Sequence, residues 1–76
     1  MKPIKVKDLK QGMLIVESEY GIDIPYVVLE DAKRVNDDGY DGWMCDCKAK
    51  DTGEVVSMFT SEEHDLGYPY LYLKYI

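Results

Sequence analysis

Gly42-Trp43-Met44-Cys45-Asp46-Cys47-Lys48-Ala49 alternates between two unlike faces, and Lys50-Asp51-Thr52-Gly53 and Glu54-Val55-Val56-Ser57-Met58-Phe59-Thr60 follow it. A period of two marks a strand. The middle segment is a turn with glycine where positive φ is needed, and the last is a return strand rich in Val, Met and Phe. Residues 42–60 therefore read as one β-hairpin. Taking Lys50 and Glu54 as the pair beside the turn sets Ala49 opposite Val55, Cys47 opposite Ser57 and Cys45 opposite Phe59. That register turns Trp43, both thiols and Phe59 inward. It leaves Met44, Val56 and Met58 outward, three apolar side chains that form a candidate docking or homo-oligomer face.

Upstream, Asn36 to Gly42 is an acidic loop with Asp-Gly twice over, a turn that keeps two strands apart. Tyr26 to Val35 reads as a long strand on its β-branched start, with a helix over Leu29–Val35 as the competing reading on its good helix formers. Glu17 to Pro25 is loop, with Tyr20-Gly21 a turn signal and Pro25 at its exit. Met13-Leu14-Ile15-Val16 is a buried strand, and Asp8 to Gly12 before it is one helical turn stopped by glycine. Downstream, Ser61 to Gly67 is a capped turn or short 3₁₀ segment, and Tyr70 to Ile76 alternates as a closing strand.

The chain has 76 residues and so forms one domain, because so short a sequence cannot divide into two cores. A domain of this size buries only roughly 60% of its unfolded surface, which makes each core position count. Fifteen acids against nine bases give a net charge of −6. Phosphate binding needs concentrated Lys and Arg, so this balance argues against nucleic acid and permits a basic protein partner. The charge is uneven. Lys2, Lys5, Lys7 and Lys10 form a basic N-terminal corner against Asp8 alone, whereas Glu17 to Asp31 holds five acids and no base. No apolar leader opens the sequence, and no stretch approaches the roughly 20 apolar residues of a membrane span. Two cysteines two apart on one strand lie too far apart for an easy bridge, and a reduced, cytoplasmic chain is the expectation.

Five short strands separated by these loops, with a single turn before the last, resemble the Src-homology-3-type small β-barrel, a superfold shared with Tudor, chromo-barrel and ribosomal KOW domains. Asp41-Gly42-Trp43 before the third strand, Thr52-Gly53 in the hairpin turn and Tyr68-Pro69-Tyr70 near the last strand carry the resemblance. Val6-Lys7-Asp8-Leu9-Lys10-Gln11-Gly12-Met13 is similar to the lead-in of many bacterial and phage members. The fold this implies is all-β: a five-stranded, strongly bent barrel with one N-terminal helical turn and a 3₁₀ turn before the last strand. Where peptide-binding members carry an aromatic-acidic signature, this chain has Met13-Leu14-Ile15-Val16-Glu17, so the resemblance does not extend to proline-peptide binding. One superfold hosts unrelated functions, and its likeness licenses no activity.

Four constellations bear on chemistry. Cys45 and Cys47 offer two of the four ligands of a tetrahedral zinc site and His64 a third, but paired Cys-x-x-Cys knuckles are absent, and core packing against Trp43 and Phe59 accounts for both thiols. His64 stands among Glu62, Glu63 and Asp65 with no nucleophile or oxyanion site beside it, which speaks against catalysis. Oxygens at Asp37, Asp38 and Asp41 lack the spacing and the distal glutamate of a calcium loop. No cofactor is expected. The fourth constellation is an aromatic-acidic rim of Tyr20, Tyr26, Tyr40, Trp43, Tyr68 and Tyr70 interleaved with Glu17, Glu19, Asp23, Asp37 and Asp38. Ring faces near carboxylates suit a cationic or arginine-bearing guest. Core filling is the plainer role for half of these rings.

The expectation is a small, acidic, non-enzymatic interaction module that binds a basic or arginine-rich protein surface through Tyr20, Tyr26, Tyr40, Tyr68, Tyr70, Glu19, Asp23 and Asp38. Its length and acidity resemble the small accessory proteins of tailed phages, many of which block a host factor. The alternative is a small-ligand or nucleotide-binding protein with a pocket of tyrosines and lysines at an oligomer interface.

Overall fold

In the computed structural model, which describes residues 2–19, 21–61 and 71–73, the strands are β1 (Lys2–Pro3), β2 (Leu14–Glu19), β3 (Ile22–Val28), β4 (Lys33–Asp37), β5 (Tyr40–Ala49), β6 (Val55–Ser61) and β7 (Leu71–Leu73). The five from β2 to β6 run five residues or more, and two very short ones flank them. A 3₁₀ turn over Val6–Asp8 is the helical element among the described residues. All strand pairs are antiparallel, and the sheet curls into an all-β half-barrel consistent with the Src-homology-3-type barrel.

β5 is long enough to hold the curl together. One edge pairs with β6 from Gly42 to Lys48; the other pairs with β4 from Tyr40 to Met44 and with β3 from Cys47 to Ala49. One continuous strand thus serves two neighbours in turn, which bends the sheet around it. The concave side holds the core: Ile15, Tyr26, Val28, Cys45, Cys47, Ala49 and Met58, with Val6 and Leu9 of the 3₁₀ segment packed over them. Side chains such as Leu9, Ile15 and Met58 each stabilise by about 1.5–3 kcal/mol through their burial. Six backbone bonds hold the segment in place, Asp8 N–H to Lys5 O at 3.0 Å, Leu9 N–H to Val6 O at 3.1 Å, Met13 N–H to Lys10 O at 3.1 Å, Gly12 N–H to Val28 O at 2.8 Å, Val28 N–H to Met13 O at 2.9 Å and Ala32 N–H to Leu9 O at 2.9 Å.

The central hairpin forms over the expected residues in a different register. Ala49 and Glu54 close a four-residue loop: Ala49 N–H donates to Glu54 O and Gly53 N–H to Ala49 O, both at 2.8 Å, with Gly53 at φ 77. The expected loop between Lys50 and Glu54 had three residues. One added loop residue slides β6 by one place, and a slip of one sends every side chain of a strand to the opposite face. Met58 therefore stands opposite Cys45 and is 2% exposed, while Phe59 pairs with Met44 on the convex side. The inward group is Trp43, Cys45, Cys47 and Met58 instead of one containing Phe59.

Three further differences concern turns. Glu17 to Pro25, expected as loop, supplies the end of β2 and the start of β3; Glu19 pairs with Ile22, and Gly21 at φ 78 helps close the hairpin. Pro25 is tolerated because β3 joins β5 only from Tyr26 onward, and its carbonyl accepts Lys50 N–H at 3.0 Å. The expected strand Tyr26–Val35 is broken at 29–32, the stretch that bonds to the 3₁₀ segment. Finally, Asp38 and Gly39 (φ 48 and 83) form a two-residue turn that joins β4 tightly to β5, where a spacing loop was expected. Positive φ at both central residues is the type I′ geometry, for which Asp-Gly is a preferred pair. The 3₁₀ turn expected before the last strand lies outside the described residues.

Candidate interaction surface

Of the expected rim, Tyr26, Trp43, Glu17, Asp23 and Asp38 have described side chains, and Tyr26 departs from it. Tyr26 is 7% exposed and belongs to the core, because its register partners Ile15 and Ala49 both face inward. It is not a rim residue. Trp43 is half-buried and packs against the core's edge. Tyr40 opens β5 opposite Asp37, with its ring outside the described part. Tyr20, Tyr68 and Tyr70 lie outside the described residues, as does His64. Asp38 is exposed in the type I′ turn.

The carboxylates fare differently. β7 covers β2 only at Ile15–Glu17, and β5 reaches β3 only from Tyr26. Among the described residues, the end of the β2–β3 hairpin is thus two strands wide. That hairpin, residues 14–28, carries Glu17, Glu19 and Asp23 and no Lys, Arg or His. Glu19 stands opposite Ile22 and Ser18 opposite Asp23. Asp23 is exposed, and Ile22 near the turn is 63% exposed. An exposed apolar side chain on a hairpin that carries acids and no base is what a basic, partly apolar surface would meet. The sequence marks the acids; Ile22 lies in a stretch expected as loop, and its place in β3 follows from the pairing with Glu19.

Trp43 and Asp41 already hold a cation of the chain's own. Arg34 faces Trp43 across the β4–β5 ladder, with its guanidinium carbon 6.0 Å from the ring centroid. Arg34 Nη2 donates to Asp41 Oδ2 at 2.7 Å and to Oδ1 at 2.8 Å, and Nε donates to Oδ1 at 3.1 Å. Arg34 is not among the residues the sequence marks. A two-residue Asp38-Gly39 turn pairs positions symmetric about it, and that arithmetic would have set Arg34 across from Trp43.

The proposed oligomer face of Met44, Val56 and Met58 does not exist as a face. Met58 lies in the core and Val56 packs against it from opposite Cys47; only Met44 points to the convex side. The cross-strand pairs on that side are Met44–Phe59, Asp46–Ser57 and Lys48–Val55, with Val55 56% exposed.

Both thiols are fully buried. Cys45 Sγ donates to Glu30 O at 3.1 Å. Burial pushes the Cys45 thiol up, partly offset by its hydrogen bond with Cys47. Burial, reinforced by the charge on Cys45, pushes Cys47 up to about 12. Thiols held protonated in an apolar core are poor nucleophiles and poor metal ligands. Among the described residues no group of three or more His, Cys, Asp or Glu is placed to hold a metal ion, and no helix is long and apolar enough to cross a membrane. Comparison with family models, with curated proteins and with solved structures finds no match.

Proposed function

We propose that this chain is a small, acidic, non-enzymatic interaction module that binds a basic or arginine-rich protein surface. The observation that carries the reading is the β2–β3 hairpin, whose outer end holds Glu19 and Asp23, an exposed Ile22 and no base. A basic partner gains Coulomb attraction there together with burial of an apolar side chain. Attraction between exposed charges is screened within about 8 Å at physiological salt, so the interaction is salt-sensitive and chiefly governs association rate.

The test uses an immobilised arginine-rich peptide, a neutral peptide of the same length as control, and surface plasmon resonance across a salt series. The wild-type chain binds the basic peptide, more weakly as salt rises, and the double variant Glu19→Lys with Asp23→Lys loses the binding. Equal binding by wild type and double variant removes the hairpin from the interaction.

A further inference from the structure

Strand register places Trp43 and Asp41 on one face of β5, two residues apart, with Arg34 of β4 directly across from Trp43. These two side chains match the two recognisable parts of a guanidinium. The ring offers a π face to the planar cation, and the carboxylate takes up its fork of donors. The observed contacts, 6.0 Å from guanidinium carbon to ring centroid and three donor–acceptor distances from 2.7 to 3.1 Å, are those of a bound arginine. The arrangement is open to solvent: the Arg34 and Asp41 side chains are 51% and 43% exposed. A cation from outside can therefore reach the pair. We propose that Trp43 and Asp41 form a guanidinium seat that the chain keeps filled with its own Arg34, and that an arginine of a partner enters by displacing it.

The partner's arginine as the natural guest rests on the function proposed above; the seat itself rests on the β4–β5 geometry. Arg34 is tethered within reach and acts at an effective concentration of millimolar or more. A free guest at low millimolar concentration competes poorly against it. Removing Arg34 vacates the seat. A lysine is a weaker guest, since an ammonium is a point charge that cannot fork across a carboxylate or lie flat on a ring.

Trp43 is the chain's one tryptophan, so its fluorescence reports on the seat without labelling. The experiment titrates the full chain with N-acetyl-arginine amide and, separately, with N-acetyl-lysine amide. Arg34→Ala shows a saturable change in Trp43 emission with the arginine probe at millimolar concentration. Wild type responds at least tenfold more weakly, as does Arg34→Ala to the lysine probe. Adding Asp41→Asn to Arg34→Ala abolishes the response. Arg34→Thr, a β-branched residue that suits a strand and cannot reach across the ring, behaves as Arg34→Ala does and covers the case in which alanine unfolds the protein. No saturable response in either Arg34 variant, an equal response in wild type, or a response that survives Asp41→Asn overturns the proposal. The Glu19→Lys, Asp23→Lys pair leaves this titration unchanged when introduced into Arg34→Ala, which separates failure of the seat from failure of the hairpin reading.

Discussion

Ser57 stands directly opposite Asp46 on the β5–β6 ladder, and its hydroxyl donates a 2.6 Å hydrogen bond to Asp46 Oδ1. Both are polar and both lie on the convex side, so the contact agrees with a register in which Cys45 and Met58 meet on the concave side. A slip of one residue would bring Ser57 under the core opposite Cys47 and expose Met58.

That difference can be read by substituting two positions on β6. Met58→Lys places a charge at a position 2% exposed, where a lone buried ammonium costs several kcal/mol, comparable to the whole stability of so small a domain. Val55→Lys falls on a side chain 56% exposed and stays within about 0.5 kcal/mol of wild type. In the slipped register the two outcomes exchange. Circular dichroism with urea melts decides between them; a folded Met58→Lys beside an unfolded Val55→Lys contradicts the pairing described here.

Tyr26→Ala provides a second check on the core. The ring is 7% exposed between Ile15 and Ala49, and truncating a buried aromatic of this size costs about 3–5 kcal/mol. The variant therefore melts far below wild type. An unchanged melting temperature would return Tyr26 to the surface, where the amino-acid pattern alone had put it.

The type I′ turn makes a sharper prediction about backbone. Gly39 has φ 83, and a Cβ built on it meets nothing within 4 Å, so any cost of Gly39→Ala comes from conformation and not from collision. Holding a residue with a Cβ at positive φ costs about 1–2 kcal/mol. Asp38→Asn preserves the turn preference, since Asn-Gly is as good a type I′ pair as Asp-Gly, and changes stability little. Thermal melts of the two variants should separate clearly, and similar melting temperatures would argue that the turn is of another kind.

These turns also show how much of the fold the amino-acid pattern held. Alternation from Trp43 to Ala49 was enough to place β5 and to send both thiols inward, because a strand's faces follow from its period alone. Loop lengths were not so readable. Lys50-Asp51-Thr52-Gly53 admits three or four loop residues with the same composition, and that one residue decides whether Met58 or Phe59 is core. Gly21 and Asp38-Gly39 both mark turns, yet the acids and the proline around them suggest longer loops than the hairpin closures at Glu19–Ile22 and Asp37–Tyr40. At the candidate surface, charge was legible in Glu19 and Asp23. The pairing of Arg34 with Trp43 depends on cross-strand geometry that appears only when the turn length is known.

The buried thiols give the chain a predictable alkaline limit. Cys45 and Cys47 titrate above their ordinary range in the folded protein, Cys47 at about 12, because burial penalises the thiolate. An unfolded cysteine titrates near about 8.5. A raised folded value means that the native state prefers the protonated form, so its contribution is complete below about pH 8.5 and declines as pH climbs toward the folded value. Each thiol adds a downward slope of at most about 1.4 kcal/mol per pH unit across that window. Urea midpoints measured from pH 7 to about pH 9, below the ordinary tyrosine and lysine range, should therefore fall with pH. The double variant Cys45→Ala with Cys47→Ala starts from a lower midpoint, since it leaves cavities, but follows a flatter line. In the same samples a disulfide reagent reacts with the wild-type thiols only as fast as the sheet opens, so that labelling accelerates with urea; rapid labelling of the native protein, or parallel pH slopes for the two proteins, would place the sulfurs outside the core.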